Sequence, residues 1–400
     1  MIEKIPSPIS LIYTNIGRGH PFYLDGIAEV LRRRGQLGLV RRQTDVFELS
    51  HGFSLLAWKA LRTLYRVGTS DGLGRKFYNR IRSGVDYDRG GLAQKIMGRG
   101  IRRTLGDTAR AVLVAHPILV AILKDCCRVI YQHGESAVPR ESIVSGAEFV
   151  LVPTERAASS FIGGGYAPGS VIVTGLCIEP ALVRNAEECF ERRLSRLNGQ
   201  QPLTGAFFSS GAEPASHVEK LAAAAWQAVA SGGRALVFAR SGGDLARRAA
   251  ATFKRTLTDF VTADASQRMP ADLPAAIIVT FRSRREANAA TAAFFAQFDY
   301  FVAPSHERSN WALGLGLPMF ITGPSYSPFS ILNREILIKA GVTREIESPE
   351  TASRFGALLK DLRQHGALSD MSHAGWKVYD IDGFEKIADF LANHFCRNAL

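Results

Sequence analysis

Several loops of this 400-residue chain gather side chains that can move protons or hold anions. Thr14-Asn15-Ile16-Gly17-Arg18-Gly19-His20 follows an apolar run and opens a helix at Pro21. His116-Pro117, Gln132-His133-Gly134-Glu135 and Pro153-Thr154-Glu155 follow three later runs. In the second half Ser209-Ser210-Gly211-Ala212-Glu213, Arg240-Ser241-Gly242-Gly243 and Pro304-Ser305-His306-Glu307 hold equivalent places. Imidazole titrates near neutrality, so His20 is the leading candidate to take a proton from a hydroxyl; a capping or packing role is its alternative. Glu135 and His133 are candidates to position a substrate or orient His20, and equally a structural hydrogen-bonded pair. His116 either contacts substrate or is satisfied by a neighbouring carbonyl. Ser209, Ser210 and Gly211 lie in a turn before a helix, where N–H groups and the helix dipole favour a phosphate. Arg240 is a second anion contact or half of a surface ion pair. Gly163-Gly164-Gly165 lacks the Lys-Ser/Thr of a P-loop and reads as a helix end.

The elements that position these loops alternate between short apolar runs and helical stretches, the pattern of parallel α/β units. Strands are predicted at 9–13, 111–115, 128–131, 149–152 and 171–174. They resume at 205–208, 235–238, 276–280, 300–303 and 318–321. Ala-rich helices fall at 217–230 and 286–297, and Asn198-Gly199-Gln200-Gln201-Pro202 reads as a linker. The expected domains are therefore 1–200, with a basic aromatic insertion at 52–105, and 201–380. A last helix within 381–400 is expected to cross back onto the first domain. In open parallel sheets ligands bind at the carboxyl ends of strands, which is where the loops above lie.

With 46% hydrophobic and 22% charged residues, the chain can bury two ordinary cores and is neither disordered nor a coiled coil. The run Ala111 to Ile122 is too short to span a bilayer, and no signal-peptide core precedes residue 12, so a cytoplasmic protein is expected. The five cysteines show no ligand spacing; neither a disulfide framework nor bound metal is expected. The net charge of +12 is concentrated in residues 52–110, where thirteen Lys/Arg face four Asp. Apolar residues at 53, 56, 57, 61, 64 and 65 repeat at helical spacing there, with Lys59, Arg62 and Arg66 at the edge. Such a helix suits an anionic membrane surface, or packs on its own domain with a basic rim. No RNP, zinc-finger or helix-turn-helix signature supports nucleic acid as a partner.

Taken in order, these loops resemble the glycosyltransferases that include monogalactosyldiacylglycerol synthase and the N-acetylglucosaminyl transferase making lipid II. Gly17-Arg18-Gly19-His20 is similar to the family's glycine-rich loop ending in Gly-His, and residues 53–82 to the lipid synthases' Trp/Tyr/Arg-rich stretch. His116-Pro117, Val152-Pro153-Thr154-Glu155 and Val173-Thr174-Gly175-Leu176-Cys177-Ile178-Glu179-Pro180 follow in family order. Phe238-Ala239-Arg240-Ser241, Gly316-Leu317-Pro318 and Asn333 leading to Lys339-Ala340-Gly341 match the donor-site frame. The resemblance spans roughly residues 9–346. It implies the GT-B fold, an α/β architecture of two Rossmann-like domains whose parallel sheets face an inter-domain cleft.

The resemblance also implies transfer of a sugar from a nucleotide-diphosphate sugar to a lipid-linked or other amphiphilic acceptor, without metal or cofactor, peripheral on the inner face of a membrane. Gly17, Gly19 and His116 then join the acceptor side. Ser209, Ser210, Gly211, Arg240, Glu307, Ser309, Asn310 and Asn333 join the donor side. Three positions depart from the family: Trp311 stands where a ribose-binding glutamate is expected, and Phe329 and Ser330 where donor-sugar ligands are expected. An indole offers one donor and a stacking face where a carboxylate accepts two hydroxyls. These departures motivate two alternatives: a GT-B protein that only binds a nucleotide or sugar, or regulates a partner, and a GT-B enzyme with an unusual donor or an epimerase activity.

Overall fold

The computed structural model describes residues 4–6, 9–16, 19–68, 86–105, 111–257, 260–265 and 274–398. They form two compact units, one running to Pro180 and including Tyr379 onward, the other Ala181–Val378.

The first unit is built on a six-stranded, wholly parallel sheet. A short antiparallel pair, β1 (Lys4–Pro6) with the C-terminal β15 (Cys396–Asn398), stands apart from it. The sheet strands are β2 (Ile9–Tyr13), β3 (Val40–Asp45), β4 (Ala111–Val114), β5 (Arg128–Gln132), β6 (Phe149–Val152) and β7 (Val171–Val173), in the order β3-β2-β4-β5-β6-β7. Helices α1 (Gly19–Arg33), α2 (Val46–Leu49), α3 (Gly52–Gly68), α4 (Leu92–Leu105), α5 (Pro117–Leu123) and α6 (Glu155–Gly163) connect them. Alternation along the strands sends Ile12, Val112, Val114 and Val129 to one face, with Trp58, Met97 and Ile101. Ile9, Leu11, Leu113 and Ile130 go to the other, with Leu24, Ile27 and the last helix.

The second unit holds α7 (Pro180–Val183), at its border, then α8 (Ala186–Asn198) and a seven-stranded parallel sheet. Its strands are β8 (Thr204–Phe208), β9 (Arg234–Arg240), β10 (Val261–Asp264), β11 (Ala276–Phe281), β12 (Tyr300–Ala303), β13 (Met319–Thr322) and β14 (Thr343–Ile346). They lie in the order β10-β11-β9-β8-β12-β13-β14. Between and after them come α9 (Ala215–Ala230), α10 (Asp244–Thr256), α11 (Arg284–Phe294), α12 (Ser309–Gly314), α13 (Pro328–Lys339), α14 (Pro349–Ser353), α15 (Phe355–Gln364) and α16 (Ala367–Gly375). The final helix, α17 (Gly383–Phe395), belongs to the first unit. There Gly26 leaves room for the Phe384 ring against α1, and Arg33 and Arg34 pair with Glu385 and Asp389.

Besides the β1–β15 pair, three strands of the two parallel sheets are not marked in the sequence. β3 (Val-Arg-Arg-Gln-Thr-Asp), β10 (Val-Thr-Ala-Asp) and β14 (Thr-Arg-Glu-Ile) lack the apolar run that marks the others. All three are edge strands, where charged residues are tolerated and discourage further pairing. Helix α8, read from sequence as the end of the first half, packs in the second unit. Buried Arg193 donates to the carbonyls of Phe298, Leu315 and Gly316, and Arg196 pairs with buried Asp299 at 2.6 Å.

Candidate functional site

In open parallel sheets the place to look for a ligand is the carboxyl ends of two neighbouring strands between which the strand order reverses. In the first unit the reversal lies between β2 and β4; in the second, between β8 and β12.

At the first reversal, the loop after β2 leads into α1 and brings His20 beside the end of β4. His20 Nδ1 is 2.5 Å from the carbonyl oxygen of Ala115. A carbonyl only accepts, so Nδ1 carries the proton and Nε2 of the neutral ring carries the lone pair. The imidazole of His116 lies 4.4 Å from that of His20, centroid to centroid. His116 caps α5: its Nδ1 accepts from the Ile118 N–H at 3.1 Å, which puts the neutral ring's proton on Nε2. The two rings therefore present opposite tautomers, one basic at Nε2 and one donating from Nε2. Gly17 lies outside the described residues, and Gly19 begins α1.

The loop after β5 places Glu135 differently from His133. Glu135 is half-buried, and its Oε1 accepts from Tyr23 Oη at 3.0 Å. The Tyr23 ring crosses directly over Gly134, where any Cβ would fall on it. Burial, followed by the Glu135 charge, pushes the Tyr23 phenol well above its ordinary range, so it stays a donor. His133 is buried, with Nδ1 3.3 Å from Tyr131 Oη and Nε2 3.1 Å from the Ala137 carbonyl oxygen. Both ring nitrogens are thus engaged, and burial drives its pKa down to about 4. That imidazole is neutral at pH 7 and acts as a fixed strut under the loop. No local signal in the sequence marks Tyr23, because its partner lies 112 residues away.

At the second reversal, the loop after β8 buries the Ser209 hydroxyl and leaves Ser210 and Gly211 accessible ahead of α9. Glu213 takes a left-handed conformation with φ +47°. Its carboxylate accepts from the Asp244 N–H at 2.7 Å, at the first turn of α10. Arg240 ends β9 and lies 3.7 Å from the same carboxylate. Burial raises the Glu213 pKa, against the opposing amide bond and Arg240. The chain thus supplies its own anion to that helix end.

The loop after β12 carries Glu307 and Arg308, an ion pair largely withdrawn from solvent. Arg308 sits at φ +58° with its guanidinium over Phe208 (4.4 Å) and Trp311 (4.9 Å). Ser309 is buried at the start of α12, Asn310 is half-buried, and Asn333 is buried on α13. Trp311 is fully buried among Phe208, Phe295, Phe298 and Phe301, with centroids 5.2 to 6.5 Å away. It is a core residue. Ser330 likewise serves the fold, as half of a capping box with Ser327.

Among the described residues, no group of three or more His, Cys, Asp or Glu is placed to hold a metal ion, and no helix is long and apolar enough to cross a membrane. Helix α3 splits its apolar residues. Trp58 is buried and donates to the Met97 carbonyl, while Phe53 (83%) and Leu56 (63%) stand exposed, as does Leu92 (76%) on α4. The part of the 53–82 stretch beyond Gly68 lies outside the described residues.

No family model and no curated protein matches the sequence. Solved structures do. The UDP-GlcNAc 2-epimerase of Neisseria meningitidis bound to UDP-GlcNAc gives a TM-score of 0.57 at 10% identity, over 97% of this chain and 100% of that one. The S. aureus MnaA–UDP co-structure gives 0.56 at 11%, over 98% and 97%. Acinetobacter baumannii MurG gives 0.54 at 12%, over 96% and 100%. At these identities the likeness establishes architecture: the chain has the GT-B fold, two Rossmann-like α/β units.

Proposed function

We propose that this chain is an enzyme that uses a nucleotide-diphosphate sugar, and that it transfers the sugar to a lipid-linked or otherwise amphiphilic acceptor. The observation that carries the proposal is His20. A backbone carbonyl fixes its tautomer, it opens a helix at the strand reversal, a second imidazole lies 4.4 Å away, and Tyr23 on the same helix holds the Glu135 carboxylate. In this reading His20 Nε2 takes the acceptor hydroxyl proton as the oxygen attacks the anomeric carbon. The bond from that carbon to the diphosphate breaks, and the leaving group carries away the electron pair. Glu135, held by Tyr23, orients the acceptor, and His116 contributes its Nε2–H. Ser210, Gly211 and the first turn of α9 receive the diphosphate, with Arg240 beside them. Glu307, Ser309, Asn310 and Asn333 frame the donor, while buried Ser209 and His133 support their loops. The exposed Phe53, Leu56 and Leu92, near Lys59 and Lys95, suit an acceptor that sits at an anionic membrane surface. The order of motifs supports kinship with the synthase of monogalactosyldiacylglycerol and the lipid II transferase.

A second reading, a binding or regulatory protein without turnover, is favoured by Glu213 on the α10 amides and by the core role of Trp311. Thermal-shift screening against nucleoside diphosphates and their sugars tests binding, which at a hundredfold excess over Kd adds about 2.7 kcal/mol. Release of nucleoside diphosphate that requires a detergent-solubilised lipid acceptor supports transfer. Isomerised nucleotide sugar without acceptor assigns epimerisation instead, and binding without turnover assigns the second reading.

A further inference from the structure

Cys126 and Cys127 lie between the end of α5 and the first residue of β5, at the amino end of that strand and away from the loop that carries Glu135. Their sulfurs are 3.7 Å apart, with Cys127 the donor. Cys126 is exposed and Cys127 half-buried, whereas Cys177 and Cys189 are buried. Arg102 of α4 is held at the same helix end by its bond to the Ile122 carbonyl, at 2.9 Å. Of the other charges nearby, Lys124 is paired with Asp88, Arg128 with Glu148, and Asp125 opposes ionisation. We propose that Cys126 and Cys127 form a dithiol modification site: Cys126 reacts with small-molecule disulfides and Cys127 resolves the product.

The thiol proton of Cys127 and the Arg102 charge stabilise a thiolate at Cys126, whose pKa is lowered to about 7, while Cys127 is pushed up. The Cys126 thiolate attacks one sulfur of a disulfide RSSR, forming a protein–SR bond and expelling RS⁻. Cys127 then loses its proton, its sulfur attacks Cys126 Sγ, and the second RS⁻ leaves. Two protein thiols are oxidised by two electrons, and RSSR is reduced to two thiols. Neighbouring Cα atoms are about 3.8 Å apart, below the usual span of about 4.4–6.8 Å for a disulfide. The resulting ring is therefore strained and easily reduced, as a reversible modification requires.

Full-length protein carrying Cys396→Ser is treated with glutathione disulfide, and products are read by intact mass. Alkylation rate is followed against pH. The native pair should react half-maximally near pH 7, lose two hydrogens without retaining glutathione, and recover with a monothiol. Cys127→Ala should retain one glutathione on Cys126 and shift its profile up toward about 8.5, the value of a free thiol. A stable glutathione adduct on the native pair overturns the proposal. So does an ordinary thiol profile at Cys126, or a Cys127→Ala variant indistinguishable from native.

Discussion

Replacing Trp311 separates a core indole from a ligand contact. The side chain is wholly buried, four phenylalanine rings surround it, and Arg308 rests on its face. Trp311→Ala removes the largest side chain of that cluster and leaves a cavity that the sheet and α12 cannot close. Such truncations cost about 3–5 kcal/mol, and the lost cation–π contact of about 0.5–1 kcal/mol falls within that figure. A unit of this size shifts about 2–4 °C per kcal/mol, so Tm should fall by about 6–20 °C. Trp311→Phe keeps most of the packing and should cost on the order of 1–2 kcal/mol. Thermal unfolding with and without a nucleoside diphosphate reads both variants, and Trp311→Phe should keep any ligand-induced shift that the native chain shows. A Trp311→Ala variant that melts within a degree of native yet loses nucleotide binding refutes the core assignment and makes the indole a ligand contact.

Other expectations follow from the first unit. Gly134→Ala should destabilise by about 1–3 kcal/mol through collision with the Tyr23 ring. In a Tyr23→Ala background most of that cost should vanish, and additive costs in a double-mutant cycle would contradict the crossing. Folded His133 titrates near 4 and an unfolded imidazole near 6.5, so between these values the unfolded chain holds the extra proton. Stability should fall as pH drops through that window, by up to about 1.4 kcal/mol per unit from this group. Denaturant unfolding of His133→Asn should show a flatter slope there, and an unchanged slope would contradict the buried neutral ring. Phe53→Ser with Leu56→Ser should weaken sedimentation with anionic vesicles without moving Tm, and salt should weaken the native chain's binding; equal binding by both proteins would remove this face from the membrane reading.

The inner strands were legible because both of their faces are buried and their sequences read as apolar runs. The edge strands β3, β10 and β14 were not, since one side of each needs no partner and charge is allowed there. The strand-end loops were likewise visible as clusters of His, Glu, Gly and Ser. Which of those residues face inward was not visible. His133 and Glu135 are two residues apart, yet one is a buried strut and the other is held half-exposed by Tyr23. Glu213 reads in sequence as part of a glycine-type turn, but it spends its charge on the amides of α10. In sequence Trp311 departs from the pattern of the glycosyltransferases that the loops resemble, and only its four ring neighbours reveal the core that it fills. Contacts across a hundred residues, such as Arg193 with the Phe298 carbonyl, leave no local signal and decide where α8 packs.

The most direct measurement compares native protein with His20→Ala, mixing each with a nucleotide-diphosphate sugar and a solubilised lipid acceptor and following release of the nucleoside diphosphate. A positioned base contributes about 10²–10⁴-fold, so the variant should bind the donor with native affinity, keep its Tm and lose release by that factor. Release at the native rate from a folded His20→Ala variant would contradict the account.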